Sequence, residues 1–388
     1  MARNTITVGI DLGTAITRCV VLSWTPGSSI PETLAAVSIP SRGVRHGYII
    51  NLTEASRTIA EAASLTEKNA GISIKKAAFS IGGTSLSSES STGSAIISKS
   101  DGEVTSFDIK TALASAEESL ELRNRRIIHT VPVSWKLDGK EVPGKPEGMH
   151  GIKLEVRMLF ITCLSQHLDD LVSAAAEAGI EVIDVVPSSI AASAVALTDR
   201  QKVAGVMLVN IGAETVSIIV YENALPIGLM VFPIGSTDIT NDIALGFRIS
   251  LEEAEGIKTG SVMAGAYPKR KVDEIIEARL SDIFELIEGY LKKIKRNGLL
   301  PAGVVITGGG SGHALVEGLA KDMLRLPSKV TNEDILGQMK GPVRDSSWFV
   351  TFGLSIMIRE SANETRSRGG NKGGASGLFK EFLRQFLP

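Results

Sequence analysis

Apolar and β-branched residues are distributed along the chain in a way that predicts two similar pairs of strands. Residues 6–12 and 17–24 are apolar runs separated by the short break Gly13-Thr14-Ala15. A second pair, 203–210 and 216–221, follows in the other half of the chain with residues 211–214 between its strands. Short β-rich runs around a glycine-containing break are typical of β-hairpins. The pattern therefore predicts one hairpin in each half of the chain.

Helical periodicity and further apolar runs predict a mixed α/β architecture. Apolar residues recur at helical spacing in 52–70, 106–121, 166–178, 251–258 and 272–295, and short buried-strand patterns occur at 34–39, 77–81, 127–133, 156–164 and 304–307. Residues 83–163 combine a Ser-rich, hairpin-like stretch, one helix and two strands around a Gly/Pro-rich loop. We expect this region to be a small α+β subdomain inserted into the first domain.

Composition narrows the class of protein. A chain of 388 residues with 43% hydrophobic residues is expected to form two to four domains. Its formal net charge of −2 argues against a nucleic-acid partner, because such proteins carry a basic surplus. Cys19 and Cys163 lie in apolar runs without metal-ligand spacing, which suits a reducing compartment. No stretch approaches the ~20 apolar residues of a membrane-spanning helix, and the start lacks a secretory signal, so we expect a cytoplasmic protein.

Both predicted hairpins carry a glycine turn after a polar residue. Gly9-Ile10-Asp11-Leu12-Gly13-Thr14 is similar to Leu208-Val209-Asn210-Ile211-Gly212-Ala213, about half a chain away. Backbone N–H groups converge at such turns and can bind an anion, so two facing turns could hold a polyphosphate. For either turn alone, a plain hairpin is the alternative. A third glycine feature, Gly308-Gly309-Gly310, follows the strand at 304–307 and permits close approach of a ligand.

The order of two phosphate hairpins and a triple glycine resembles the actin, Hsp70 and sugar-kinase superfamily. The resemblance implies two ribonuclease-H-like halves around a cleft that binds ATP, with Mg²⁺ held through the phosphates and water near Asp11 and no direct protein metal site. Glu255 and Lys258 are similar to the superfamily's E-x-x-K clamp, and Arg18 matches a phosphate-contacting basic position. The implied nucleotide site comprises Asp11, Gly13, Thr14, Ala15, Arg18, Asn210, Gly212, Ala213, Glu214, Thr215, Glu255, Lys258, Gly308, Gly309, Gly310 and Ser311.

More specific stretches resemble the FtsA family of bacterial cell-division actins. Residues 41–47, which read Ser-Arg-Gly-Val-Arg-His-Gly, lead into the first helix as they do in that family, and residues 126–132, 161–163 and 178–180 continue the match. The inserted region lies where the family carries its own extra subdomain. The pilus-assembly homologue PilM, which has a similar insertion, is the nearest alternative. A sugar-kinase-type phosphotransferase is a weaker alternative, because the motif-bearing segments offer no evident catalytic Asp.

The C-terminal segment favours the FtsA family over PilM. Residues 377–388 carry large apolar residues on one predicted helical face: Leu378, Phe379, Phe382, Leu383, Phe386 and Leu387. Basic residues accompany them and would be attracted to anionic lipid headgroups. A helix that docks on the protein's own body is the alternative. We expect an amphipathic helix that holds the protein peripherally on the cytoplasmic face of the inner membrane.

The predicted site departs from hydrolysing relatives at three positions. Asn210 replaces the usual Asp of the second hairpin, Ser217 stands where relatives have Asp or His, and Val186 replaces a glutamate before Pro187. Ala213 and Glu214 also replace the usual glycines. These departures predict ATP binding with hydrolysis that is weak or absent.

The family resemblance also implies partners and boundaries. It implies that the chain polymerises, joins other division proteins and receives the C-terminal tail of the tubulin homologue FtsZ on its small subdomain, where Ile276, Arg279 and Ile283 are the predicted contacts. The expected units are 1–82 completed by 164–200 and 345–360, the insertion 83–163, a second actin-like subdomain at 201–245 and 299–344, the small subdomain 246–298, a flexible linker 361–376 and the terminal helix 377–388.

Overall fold

The computed structural model describes residues 4–28, 30–261, 267–331 and 345–367. The first half is built on a five-stranded sheet in the order β11-β6-β1-β2-β3. Its strands, with the short β4–β5 hairpin that follows β3, are β1 (Thr5–Leu12), β2 (Ile16–Trp24), β3 (Glu32–Pro40), β4 (Val44–Arg45), β5 (Tyr48–Ile49), β6 (Lys76–Ile81) and β11 (Glu181–Pro187). β1 pairs antiparallel with β2 and parallel with β6, so the first glycine turn lies at the carboxyl end of a central strand.

A second, nine-stranded sheet runs through the second half and the insertion. Its order is β16-β15-β12-β13-β14-β7-β10-β8-β9. The second half contributes β12 (Val206–Ile211), β13 (Val216–Glu222), β14 (Leu225–Phe232), β15 (Val304–Thr307) and β16 (Ser328–Val330), and the insertion contributes β7 (Ser87–Ile96), β8 (Arg125–Leu137), β9 (Lys140–Val142) and β10 (Lys153–Leu164). The inserted subdomain is thus joined by the chain to the first half but by its sheet to the second.

One serine side chain reinforces the contact between β14 and β7. Met230 and Ser87 are paired across the two strands. Beside them, the Ser88 hydroxyl donates to the Leu229 carbonyl at 3.1 Å and accepts from the Leu229 N–H at 2.7 Å. A side chain therefore supplies hydrogen bonds at a place where the backbone pairing between these two strands is limited to one residue pair.

Helices cover both sheets. They are α1 (Leu52–Ala70), α2 (Ser106–Glu118), α3 (Ser165–Glu177), α4 (Ser188–Ala196), α5 (Asp199–Ala204), α6 (Ser236–Phe247), α7 (Leu251–Thr259), α8 (Lys269–Lys293), α9 (Leu315–Leu324) and α10 (Phe349–Ser367), with a 3₁₀ turn at Ser346–Trp348. Local signals set several boundaries: in α1 the Asn51 side chain accepts from the Glu54 N–H, and Gly71 ends the helix in the left-handed conformation.

Close glycine contacts fix the last helix against the first half. A Cβ placed on Gly353 of α10 would lie 1.8 Å from the Ala191 carbonyl oxygen of α4. A Cβ on Gly9 of β1 would lie 2.5 Å from the Thr351 carbonyl oxygen. Only glycine permits these approaches, so α10 packs directly on the β1 backbone beneath the first hairpin.

Three predicted segments differ from the structure. The second hairpin begins at Val206, because Val203 belongs to α5, whose N-terminus is capped by Thr198. The Ser-rich stretch is one long strand, β7, and not a hairpin, since it pairs along its length with β10. The first seven residues of the predicted linker, 361–367, are the end of α10. The remaining linker and the predicted amphipathic helix at 377–388 lie outside the described residues.

Candidate nucleotide site

The two predicted glycine hairpins both form. In the first, β1 and β2 are in register with Asp11 opposite Arg18, and the turn contains Gly13, Thr14 and Ala15. In the second, the Gly212 N–H donates to the Thr215 carbonyl at 2.9 Å and closes the turn between β12 and β13. Each strand that enters a turn is central in its sheet, so a rigid layer supports each turn.

Asp11 is a partly buried carboxylate at the base of the first turn. The Ser80 hydroxyl, on the neighbouring β6, donates to Asp11 Oδ1 at 2.5 Å. Burial raises the pKa of Asp11, while this hydrogen bond and the nearby Arg18 charge oppose the rise. The hydrogen bond from Ser80 therefore fixes the carboxylate in position. A group that orients a metal-bound water needs such a fixed position.

Arg18 lies on β2 beside Asp11. Its guanidinium carbon is 5.6 Å from the centre of the Trp348 ring, and its buried Nε has no hydrogen-bond partner. Desolvation lowers the pKa of Arg18, and the charges of Asp11 and Asp345 counteract that effect. A buried donor without a partner is costly, and an anion in this cleft would satisfy it.

The β4–β5 turn connects the two hairpins. The Gly47 N–H donates to Thr14 Oγ1 of the first hairpin at 3.0 Å. The His46 N–H donates to Glu214 Oε2 of the second hairpin at 2.7 Å, and Arg45 Nε pairs with Glu214 Oε1 at 2.9 Å. Residues from both halves thus meet at the hairpin tips.

The predicted clamp residues are packed against the helix after the second hairpin. Lys258 Nζ lies 2.7 Å from Glu255 Oε2 and donates to Thr240 Oγ1 at 2.8 Å and to the Ser236 carbonyl at 3.1 Å. Glu255 also accepts from Thr240 Oγ1 at 2.6 Å. Three contacts therefore engage the three N–H donors of Lys258, and Glu255, whose side chain is half exposed, is the more accessible member of the pair.

The triple glycine has one open position and two closed ones. A Cβ on Gly308, where φ is +95°, would lie 2.3 Å from Asn210 Oδ1, and a Cβ on Gly310 would lie 2.6 Å from Ile211 Cγ2. A Cβ on Gly309 would meet no protein atom within 4 Å. Ser311 is buried and donates its hydroxyl to the Gly308 carbonyl at 2.7 Å, so it stabilises the loop. Gly309 alone offers free space to a ligand.

The positions expected to lack catalytic groups are apolar or buried. Val186 is fully buried on β11, and Ser217 is buried on β13, where it lies opposite Asn210 of β12. Sequence reasoning missed Asp184, an acid within the apolar run of β11, where burial raises the pKa to about 6. It also treated Arg45, His46 and Gly47 only as a family signature. Their signal was Gly47 after a polar residue and before the apolar run 48–50, because glycine readily adopts the positive φ of a two-residue turn.

The predicted partner contacts on α8 require a correction. Ile276 and Ile283 are fully buried in the core of the second half, so their side chains cannot contact a partner. Arg279 lies on the surface, where its Nε and Nη2 pair with the two carboxylate oxygens of Asp242 at 2.7 and 3.0 Å, and Nη1 pairs with Asp282 at 3.1 Å. The spacing of three and four positions places all three residues on one helical face, but that face packs on the core, so only the half-buried Arg279 reaches solvent.

Two family models match the chain. One, described as "Cell division protein FtsA", matches residues 207–363, and another, described as "SHS2 domain inserted in FTSA", matches residues 83–162. Together they span the second hairpin, the triple glycine, the last helix and the inserted subdomain.

The chain belongs to the FtsA family.

Curated relatives extend the match over most of the chain. The cell division protein FtsA of Bacillus subtilis is 28% identical over 375 residues, which cover 91% of this chain and 83% of that protein. FtsA of Escherichia coli K12 is 26% identical over 343 residues, which cover 81% and 80% respectively. The similarity to FtsA therefore covers more of the chain than the two family models do.

Solved structures confirm the actin-like fold expected of an FtsA protein. A PilM–PilN type IV pilus biogenesis complex matches with a TM-score of 0.67 at 16% identity, covering 90% of this chain and 97% of that one. MreB5 of Spiroplasma citri bound to ADP matches with a TM-score of 0.55 at 12% identity, covering 95% and 99%. At these identities the likeness shows the fold alone.

The part of the chain that the structure describes contains no helix with both the length and the apolar character needed to cross a bilayer.

Proposed function

We propose that this protein binds ATP between its two glycine hairpins, polymerises at the membrane and tethers the FtsZ ring there. The observation that carries the proposal is membership of the FtsA family, together with the match of residues 83–162 to the model of the domain inserted in FtsA. The B. subtilis and E. coli relatives are named for cell division. The site geometry supports the nucleotide part, and the C-terminal sequence supports the membrane part.

The residues of the cleft fit a nucleotide. Two turns present backbone N–H groups, Gly309 leaves free space, and the buried Arg18 Nε lacks a partner that an anion would supply. An adenine nucleotide is bound by the MreB5 structure, as its description states. In this protein Gly13, Thr14 and Gly212 would hold phosphates, and Gly309 and Glu255 would border the nucleoside. Mg²⁺, bound through phosphate and water, would be oriented by Asp11.

Nucleotide binding without rapid turnover is the expected chemistry. Val186 and Ser217 offer no acid to orient an attacking water, and Asn210 lies beneath the Gly308 turn. We expect phosphate release far below the ~1–100 s⁻¹ typical of kinases. The protein would then act as a nucleotide-dependent scaffold.

Surface residues of the small subdomain, 246–298, are the proposed receptor for the FtsZ tail. Arg279 is the exposed member of the predicted set, and its pairing with Asp242 means that a tail carboxylate would have to share or displace that bond. Ile276 and Ile283 would act only through packing. The docking residues are therefore to be sought on the exposed face of α8 around Arg279.

Co-sedimentation with FtsZ on anionic vesicles tests the function. The full chain should carry FtsZ into the vesicle pellet, while FtsZ alone stays in solution. Phe382→Glu should leave FtsZ binding intact in solution but abolish its pelleting, because the membrane face would carry a charge. If the full chain fails to bind FtsZ at all, the tethering function is wrong.

A further inference from the structure

The β4–β5 turn has a backbone shape suited to binding an anion. His46 and Gly47 both have left-handed backbone conformations, with φ of 47° and 76°. This two-residue turn projects its consecutive N–H groups toward the hairpin tips, where they reach Glu214 and Thr14. A Cβ on Gly47 would lie 2.5 Å from the Gly83 backbone nitrogen, so the turn is held tightly against the first half.

Glu214 is the anion that occupies this turn. Its carboxylate accepts from the His46 N–H at 2.7 Å and pairs with Arg45 Nε at 2.9 Å, and its side chain is only 13% exposed. Its own carbonyl lies 3.2 Å from His46 Nδ1. The side chain extends from the tip of the second glycine turn across to the first half. A negative group therefore already lies between the two hairpins, on donors that favour anions.

We propose that Arg45, His46 and Gly47 form a third phosphate-recognition element, and that Glu214 is an internal anion that competes with the nucleotide for it. The inference rests on the proposed ATP site between the hairpins. When a polyphosphate binds there, its charge faces the Glu214 carboxylate and the same donors. Glu214 must then give up Arg45 or share it, so the chain's own carboxylate weakens nucleotide binding. When no nucleotide is bound, the same carboxylate keeps the cleft closed.

Two opposed substitutions test the competition. Glu214→Gln should raise ATP affinity at least fivefold, because the competing charge is removed while a side chain of similar size stays. Arg45→Gln should lower ATP affinity, because a phosphate ligand is lost. If the Arg45–Glu214 pair were only a latch between the halves, both changes would break the same contact and shift affinity in the same direction. That result would overturn the proposal.

A double substitution separates direct competition from a general effect of charge. Under competition, Arg45→Gln costs more affinity in the Glu214→Gln background than in the native chain, because Arg45 is then free for phosphate. If the effects of the two substitutions are additive, each charge acts on ATP independently and at long range. That result would overturn the proposed competition. ATP affinity is measured by calorimetry on the full chain with Mg²⁺.

Glu222→Gln is the matched control. Glu222 lies at the far end of the same β13 hairpin and pairs with Arg296 at 2.7 Å. The change removes one negative charge from the same half without touching the turn, and ATP affinity should stay within twofold. A gain equal to that of Glu214→Gln would assign the effect to net charge and overturn the inference.

The outcomes also separate this inference from the proposed function. If neither the native chain nor Glu214→Gln binds ATP, the nucleotide function itself is wrong and the inference falls with it. If the native chain binds ATP but Glu214→Gln shows no gain, only the inference is wrong. If ATP binds measurably only to Glu214→Gln, both stand, and the native site is held by its own carboxylate.

Discussion

At the scale of single residues, burial at one position and free space at another decide which substitutions the protein tolerates. Asp184 lies on β11 where the register shifts by one residue against β6, and the N–H of Val185 donates to its carboxylate at 2.9 Å. Desolvation raises the pKa of Asp184 to about 6 despite that hydrogen bond. Gly309 shows the opposite situation, since a side chain there would meet open space. The two positions permit predictions about stability and about ligand binding, respectively.

Asp184→Asn should stabilise the protein, and more so at higher pH. The folded state holds the Asp184 proton more tightly than the unfolded chain does, because the pKa of an aspartate in an unfolded chain is about 3.9. The contribution of Asp184 to the free energy of unfolding therefore falls as the pH rises from about 4 to about 6, and it is constant above pH 6. The advantage of the Asn variant in urea unfolding at pH 7.5 should exceed that at pH 4.5 by about 2 kcal/mol.

Glu181→Gln controls for that experiment. Glu181 begins the same strand and forms an exposed pair with Lys76 at 2.8 Å, so its loss should change stability by less than about 0.5 kcal/mol at either pH. An Asp184→Asn advantage that does not vary with pH would contradict the assignment of the raised pKa.

Gly309→Asp should abolish ATP binding without harming the fold. The new side chain meets no protein atom near its Cβ, and it would place a carboxylate in the space left for the nucleotide. We expect at least a tenfold loss of affinity in calorimetry and an unchanged melting temperature. Gly318→Asp, at an equally open position on α9, should bind ATP as the native chain does. Normal ATP binding by Gly309→Asp would show that the loop does not border the nucleotide.

Elements are joined by a few polar side chains at the base of the insertion. His167 on α3 lies 2.9 Å from both the Ser85 hydroxyl and the Gly47 carbonyl, and Gly47 in turn contacts the first hairpin. Arg125, at the start of β8, holds both ends of the insertion. It donates to the Ser85 carbonyl at 2.7 Å, the Ser87 hydroxyl at 2.8 Å and Thr162 Oγ1 at 2.9 Å. The insertion is thus fastened to the layer that carries the first glycine turn.

Arg125→Ala should loosen the insertion. Four hydrogen bonds from a charged group are lost, including a further one to the Thr162 carbonyl, and their acceptors are left partly buried, which costs about 2–3 kcal/mol. Amide hydrogen exchange should accelerate at both ends of the insertion, and the melting temperature should fall. The neighbouring Arg126→Ala removes an exposed pair with Asp169 and should cost less than about 0.5 kcal/mol. Equal effects of the two changes would contradict this role of Arg125.

At the scale of the whole molecule, the nine-stranded sheet links the insertion with the second half, while the chain links it with the first. A rearrangement between the halves would therefore act on the β14–β7 contact at Ser88.

The predicted membrane helix follows at the end of the chain. Several such chains in a polymer would present several helices to one surface, and weak single contacts would add to a stable attachment.

Phe382→Glu should release the protein from anionic vesicles. Burial of the predicted apolar face provides several kcal/mol at ~25 cal/mol per Å², less the cost of folding a short helix, and a charge on that face cancels it. Vesicle pelleting measures the loss. Gln385→Glu adds the same charge on the predicted polar face and should pellet nearly as well as the native chain. Strong pelleting by a strictly monomeric variant would contradict the contribution of avidity.

What the sequence determined by itself is local. Glycine turns, helix caps and the period of apolar residues depend on neighbours a few positions away, and from these the two hairpins, most helices and the triple glycine could be predicted. Tertiary structure decided which faces are buried and which distant residues meet. Ile276 and Ile283 proved to be core residues because α8 packs through them, and Asp184 is desolvated because its strand lies under other elements. Glu214 reaches His46, 168 positions away, only because two sheets bring their turns together, and no local pattern encodes that meeting.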